Sequence, residues 1–528
     1  VNRDYLLDGL DDSQRQAVMA DDGHLLIVAG PGTGKTLTIV RRIAYLVNQG
    51  VKPENILAVT FTNRAAREMK ERAESFLGRG ANNLFIGTFH LLGLKILRQF
   101  MQDDFVICDR EGQINILKEI LKGTKTKAQE AAQRISRIKN FLEDRDEEIN
   151  AVYEAYQASL VEKSALDFDD LILKPIEMFE AGSLPDNHRE RFSHIIVDEY
   201  QDINPAQYRL LKLLAGDMSD VCAVGDSDQA IYAFRGADIE NFLNFEKDFK
   251  GSKTIALTQN YRSTEAIVNA SSGMIKNNLK RIDKNLTAVK ERGDQIIIIS
   301  APDEKAEGEF IVKEIEARMG CTSHYNMYAK GTTAACDGSY GFSDFAVIFR
   351  TNAQAKAIED VFMESGIPYQ VIGRKNLRQR KEIENTISYM KSITNPSGEI
   401  GNEQEETLLS DDDLFDPKAN AVTLMTMHMA KGLEFRVVFI VGVEDGLIPY
   451  ALNKNSADIE EERRLFYVGM TRAKDELFLL GSRNRFLYGQ KLSQSASPFL
   501  KEIEADLTQK VIIQDRVIKE KKKQIGLF

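Results

Sequence analysis

Apolar runs of strand length alternate with helix-like segments along most of this chain. One set of runs stands at 25–29, 55–61, 194–198, 221–225 and 254–258; a second follows at 294–300, 345–350, 368–372, 421–426, 436–442 and 475–480. Runs this uniformly apolar predict strands covered on both faces, in largely parallel sheets with helices packed on them. AAREMKERAESFL (65–77) and AKAIEDVFMES (355–365) carry apolar residues at helical spacing. The pattern predicts an α/β fold with two sheet-based domains.

Two stretches break the alternation. Residues 91–192 are charged, rich in helix formers and almost free of strand runs, which predicts a helical insertion. Residues 393–420 are acidic and carry turn residues, which predicts a loop or small appendage. The expected division is therefore 1–90 with 193–265 as the first domain, 91–192 as its insertion, and 266–392 with 421–505 as the second. A short interruption at 393–420 and a flexible tail at 506–528 complete it. No repeat of solenoid period is visible.

At 528 residues there is ample material for separate cores, and 43% apolar with 28% charged residues is ordinary for a soluble globular protein. The run IIII at 296–299 is far too short for a bilayer. VNRDYLLDGLDD at the start lacks the basic region and apolar core of a signal peptide, so a cytoplasmic location is expected. Four cysteines do not make a disulfide framework in a chain this long. Cys321, His324 and Cys336 share one Gly-rich stretch, but a structural zinc site usually takes four ligands. The plainer reading there is a loop with reduced thiols, and metal binding stays open. The net charge of −11 counts mildly against a nucleic-acid partner. A whole-chain sum hides a basic groove, however, and a motor that must keep letting go has no use for a strongly basic surface.

The chemistry concentrates first in AGPGTGKT (29–36), which fits the phosphate-cradling P-loop pattern with Ala29 where a glycine often stands. Gly32 and Gly34 let backbone N–H groups turn inward, and the helix starting near Lys35 adds its positive end. Lys35 is expected to reach the β- and γ-phosphates and the Thr36 hydroxyl to hold Mg²⁺. A P-loop also needs a second metal ligand and a group that activates water. HIIVDEYQD (194–202) offers both at the end of an apolar run: Asp198 for the metal, Glu199 for the water.

With LDDSQRQAV (10–18), TFTNRAAREMKER (60–72), GTFH (87–90), DFDDLI (167–172), GDSDQAIYAFRGA (225–237), LTQNYRS (257–263), FRTNAQAKAIE (349–359), TMHMAKGLEF (426–435) and YVGMTRAKDEL (467–477), the sequence resembles the UvrD/Rep/PcrA family of superfamily 1 DNA helicases. The resemblance covers about residues 6–505, and the motifs fall in the family's order. It implies two RecA-like P-loop NTPase domains that hydrolyse ATP with Mg²⁺ between them. It also implies 3′→5′ movement along single-stranded DNA in DNA repair or replication, with single-strand/duplex junctions as substrates and a monomer as the default state.

Carried over position by position, the resemblance implies that Gln14 reads adenine, Tyr261 stacks on the base and Glu434 contacts the ribose. Gln229 becomes the γ-phosphate sensor, and Arg262 and Arg472 neutralise charge that builds on that phosphate. Phe61, His90, Tyr232, Phe234, Asn352, His428 and Tyr488 fall at DNA-contact positions. Phe234 stands where relatives often carry tryptophan, and Tyr488 where phenylalanine is common; both keep an aromatic face.

The sequence departs from the family in one place. Only about thirty residues, roughly 392–421, stand where relatives carry a large inserted domain, too few for a core of their own. Translocation is expected to persist and strand separation becomes the doubtful step. The alternatives are a translocase that strips proteins from single-stranded DNA, or an ATP-switched adaptor tethered to a sliding clamp. The last idea comes from the end, KKKQIGLF, which looks like a bacterial clamp-docking motif, with Gln524 as polar anchor and Leu527 and Phe528 as apolar plugs.

Overall fold

In a computed structural model, residues 3–101, 104–184, 191–216, 219–320, 340–373, 415–451 and 458–514 are described. Cys321, His324, Cys336, Gln524, Leu527 and Phe528 lie outside these residues, as does most of 393–420. The architecture is α/β, and the chain divides into two compact units. The first runs through Ser263 and takes back Asn278–Lys290; the second holds Thr264–Asn277, Glu291–Ile372 and the chain from Asp416. Among the described residues, no helix is long and apolar enough to cross a membrane.

The first unit is built on a six-stranded sheet. Its order is Phe85–Thr88, Ile56–Thr60, His194–Val197, Asp220–Gly225, Leu25–Ala29 and Lys253–Leu257, with every neighbouring pair parallel. Successive residues of these strands feed two different cores, as the pleat requires. Leu25, Ile27, Ile56, Ala58 and Ile196 face one core, with Ile39 and Ile43 of the helix Lys35–Asn48 and Met69 of the helix Asn63–Leu77. Leu26, Val28, Leu57, Val59, Ile195 and Val197 face the other. Burying both faces is what such runs gain, at about 1.5–3 kcal/mol for each large aliphatic side chain.

The helical stretch is smaller as a separate body than its composition suggested. Leu92 and Ile96 of the helix Phe89–Phe100, and Ile172, Ile176 and Phe179 of Asp170–Glu180, belong to the sheet's own core. A separate core forms from the helices Arg110–Ile120, Ala128–Phe141 and Glu147–Glu162, through residues such as Leu117, Ile135 and Tyr156. Lys139 anchors that body. Its buried ammonium lies 2.7 Å from Asp167 and 2.8 Å from Asp170, and Tyr156 donates to Asp167 at 3.0 Å. A buried cation is tolerable only when paired this closely.

The second unit carries seven parallel strands in the order Tyr369–Val371, Val422–Thr426, Phe345–Phe349, Phe435–Val441, Ala473–Ser482, Ile296–Ala301 and Thr508–Ile512. Phe345, Val347, Leu424, Phe439 and Phe478 pack against Ile311 and Ile315 of the helix Glu304–Met319 and Phe362 of Ala355–Ser365. The last strand corrects the expected tail boundary at 506, because Thr508–Ile512 is hydrogen-bonded along Ile296–Ala301 and closes that edge.

Candidate nucleotide and DNA site

Four loops leave the carboxyl ends of neighbouring strands in the first sheet, where open parallel sheets bind their ligands. The loop after Leu25–Ala29 is the P-loop. Gly32 and Gly34 adopt φ of 71° and 79°, the left-handed region that suits glycine. A Cβ on Gly32 would stand 2.6 Å from the Arg262 Cβ, and one on Gly34 2.7 Å from the Gln14 amide nitrogen. The turn is therefore pressed against two of the residues expected to serve the nucleotide. Gly34 precedes the helix Lys35–Asn48, and no side chain caps that helix start.

The surrounding contacts hold this turn. Gln14 is buried, and its Nε2 donates to the Thr33 carbonyl at 2.9 Å. The Asn260 amide donates to the Pro31 carbonyl at 2.7 Å, while its oxygen accepts from the N–H groups of Arg262 (3.0 Å) and Ser263 (2.9 Å). Tyr261 N–H donates to the Gly32 carbonyl at 2.9 Å, and its hydroxyl donates to Asp11 at 2.8 Å. Burial of the Tyr261 hydroxyl and its bond to Asp11 push its pKa up to about 12. The ring itself stays substantially exposed beside the P-loop.

The loop after His194–Val197 brings the acids. Lys35 Nζ lies 3.2 Å from Glu199 Oε1. Glu199 sits at φ 52°, a costly conformation for a residue with a side chain. Its N–H donates to Asp198 Oδ1 at 2.9 Å. Thr60 Oγ1 stands 3.5 Å from the other Asp198 oxygen. Gln201 ties this loop to the next: its amide donates to Glu199, and its oxygen accepts from Asp226 N–H at 2.9 Å.

In the loop after Asp220–Gly225, Gln229 Nε2 donates to Asp226 at 2.7 Å. Asp226 and Asp228 are both buried, and Lys284 donates to both. Arg281 meets Asp228 with two nitrogens, at 3.0 and 2.8 Å. Burial works against the Asp228 carboxylate, but Lys284 and Arg281 outweigh it and hold its pKa below the usual range.

The structure thus gathers Gln14, Gly32, Gly34, Lys35, Thr36, Asp198, Glu199, Gln229, Tyr261 and Arg262 around one edge of one sheet. The sequence reading passed over Asp11, Gln201, Asn260 and Lys284, which position the others. Asn260 stands inside LTQNYRS, and two buried acids in GDSDQ call for a counter-cation.

Expected DNA contacts group as well. Phe61 stacks on Tyr232 with centroids 4.9 Å apart, and Tyr232 lies 6.0 Å from Phe234, which is 64% exposed. The Arg235 guanidinium covers both Tyr232 and Phe234, at 5.2 and 5.7 Å. His90 stacks at 3.9 Å on Phe168, an exposed aromatic of DFDDLI that the reading did not single out. Burial pushes the His90 pKa down to about 4, so the ring is neutral at physiological pH.

Arg472, Glu434, Asn352, His428 and Tyr488 belong to the second unit. The buried Arg472 guanidinium donates to the carbonyls of Val468 (2.9 Å) and Leu433 (3.2 Å) and to the Thr471 hydroxyl (3.1 Å). Glu434 pairs with Lys474 at 2.7 Å. Asn352 is exposed, His428 is half-buried and Tyr488 is exposed at φ 51°.

Comparison with known proteins bears on both units. The family model described as the UvrD/REP helicase N-terminal domain matches residues 10–250, and that of the UvrD-like helicase C-terminal domain matches 255–404 and 398–484. An ATP-dependent DNA helicase PcrA of Staphylococcus epidermidis is 34% identical, with 95% of this chain and 87% of that protein covered. The protein of the same name from Staphylococcus aureus is 33% identical over the same shares. The first alignment spans 652 positions, more than the 528 residues of this chain, so that relative carries stretches with no counterpart here.

Proposed function

The chain belongs to the UvrD/REP family of ATP-dependent DNA helicases, and from that premise we propose how its residues divide the work. ATP binds at the P-loop, with Gln14 at the adenine, Tyr261 stacked on the base and Lys35 on the β- and γ-phosphates. The observation that carries this reading is the Lys35–Glu199 pair, 3.2 Å across two loops of one sheet edge. A bound γ-phosphate competes for Lys35. Glu199 then turns to its second task, orienting and polarising the attacking water.

The hydroxyl of Thr36 and the carboxylate of Asp198 are hard oxygen donors, the kind Mg²⁺ takes beside phosphate. When bound, Mg²⁺ supplies positive charge to the β- and γ-phosphates. Gln229, fixed by Asp226, senses the γ-phosphate, and Arg262 stabilises charge developing on it. Arg472 and Glu434, in the second unit, keep the γ-phosphate and ribose roles that the family resemblance implies for them. Phe61, His90, Tyr232, Phe234, Asn352, His428 and Tyr488 offer stacking and polar contacts to single-stranded DNA, and Phe168 joins them. The protein moves 3′→5′ along that strand and serves DNA repair or replication.

The direct test is single-turnover opening of a short duplex bearing a 3′ single-stranded tail, with a 5′-tailed duplex and Lys35→Ala as controls. ATP-dependent opening of only the 3′-tailed duplex is the expected result; equal opening of both overturns the polarity. A second reading, movement along one strand with little opening of duplex, is favoured by the roughly thirty residues at 392–421 where relatives carry a large domain. It predicts displacement of a protein bound to single-stranded DNA at full speed while the duplex stays closed.

A further inference from the structure

At the opposite end of the first sheet, three strand starts bring together a set of groups that the nucleotide site does not use. His194 opens the strand His194–Val197, and Asp220 opens Asp220–Gly225 as its direct register partner. Asp22 lies in the loop just before Leu25–Ala29. The His194 Nε2 atom is 3.9 Å from Asp22 Oδ1 and 3.9 Å from Asp220 Oδ2. One ligand atom from each of the three residues lies within 4.8 Å of the others.

Acids at a sheet edge are common, and the histidine is what sets this cluster apart. His194 is only 9% exposed, and its Nε2 is buried without a hydrogen-bond partner. A buried ring nitrogen left without a partner is unfavourable, because the desolvation of its polar atom is not repaid. Its other nitrogen, Nδ1, lies 2.9 Å from Ser193 Oγ. With the proton on Nδ1 and donated to Ser193, Nε2 presents a lone pair between two carboxylates. That is the tautomer a metal-binding imidazole takes, with the far nitrogen held by an outer partner. Burial pushes the His194 pKa down, the Arg42 charge adds to this, and Asp220 and Asp22 only partly offset it.

We propose that Asp22, His194 and Asp220 form a divalent-cation site of the zinc class at the amino-terminal edge of the first sheet. One imidazole nitrogen and two carboxylates suit Zn²⁺, leaving a fourth position for water, whereas Mg²⁺ avoids imidazole. Closing from 3.9 Å to a zinc ligand shell needs only a small inward movement. Asp22 is almost fully exposed and can make it. The ion ties the loop that follows the helix Asp12–Val18 to the two strand starts. It therefore braces the segment carrying Gln14 from the side away from the nucleotide.

The test is a Zn²⁺ titration of the metal-stripped full chain against a chromophoric chelator, in millimolar Mg²⁺, alongside melting temperature. Wild type is expected to bind one Zn²⁺ at this site and melt higher with it. Asp22→Asn, at an exposed position that cannot disturb the core, weakens binding at least tenfold and abolishes the rise in melting temperature, as does His194→Gln. A Cys321→Ser/Cys336→Ser double variant keeps both effects. Unchanged Zn²⁺ affinity in Asp22→Asn and His194→Gln, loss of binding only in the cysteine variant, or wild-type binding no tighter than millimolar overturns the proposal.

Discussion

In the first unit, the strand Leu25–Ala29 runs through a glycine turn into the helix Lys35–Asn48; in the second, Ile296–Ala301 runs through Pro302 and Asp303 into Glu304–Met319. Both are a parallel strand followed by a helix packed on its sheet. The first helix starts after Gly34, with no side-chain cap and no acid in its first turn. The second is capped by Asp303, whose carboxylate accepts from Ala306 N–H at 2.8 Å, and carries Glu304 and Glu307 in its first turn. A helix start attracts anions through unfilled N–H groups and its positive end. The first unit leaves that attraction open for a phosphate, and the second satisfies it with its own carboxylates. The proposed phosphate site thus rests as much on a missing cap as on the lysine beside it.

The comparison breaks most sharply at Lys35. Lys35→Ala is expected to cut kcat for ATP by about 10²-fold or more, as loss of one preorganised charge-stabilising donor does, while the circular-dichroism spectrum and melting temperature change little. Gly34→Ala comes next. It places a side chain at φ 79° and against the Gln14 amide, costing about 1–2 kcal/mol for the left-handed backbone. Weaker binding of an ATP analogue together with a lower urea midpoint is the expected pair of results.

In the second unit, Asp303→Ala removes a cap worth about 1 kcal/mol. It should gain no affinity for nucleotide, because the Glu304 charge remains in the first turn; tight ATP-analogue binding by that helix would count against the comparison. The smallest effect is one of pH. Burial pushes the Glu307 pKa up to about 7; Arg485 pulls it down and Glu444 raises it further. The folded state therefore keeps a proton that the unfolded chain releases near 4.5. Stability from this group is full below that pH and is lost as pH rises towards 7. Glu307→Gln should flatten that fall in urea midpoints measured at intervals between pH 5 and pH 7.5.

The long strands were legible because they are buried on both faces and need continuous apolar runs. Phe85–Thr88 was missed: FIGT is short, and its second half is Gly87 and Thr88. Thr508–Ile512 was missed because an edge strand keeps polar residues, and TQKVI reads as tail. Lys284 reads as a solvated lysine in NNLKRIDKNL, yet it is buried between Asp226 and Asp228. Only a chain return from the second unit to the first puts it there, and nothing local encodes that return. The P-loop, Asp198 and Glu199 were legible for the opposite reason: their chemistry rests on backbone spacing within a few residues. Asn260 and Gln201 act across loops far apart in sequence, so their roles appear only in three dimensions.

The central claim is that the first unit's P-loop drives a DNA-dependent motor. The most direct measurement is the steady-state rate of ATP hydrolysis by the full chain, with and without a single-stranded oligonucleotide, for wild type and Lys35→Ala. Strong stimulation by the oligonucleotide in wild type and near-complete loss in Lys35→Ala is the predicted result. A hydrolysis rate indifferent to single-stranded DNA, or one that survives Lys35→Ala, would contradict the account.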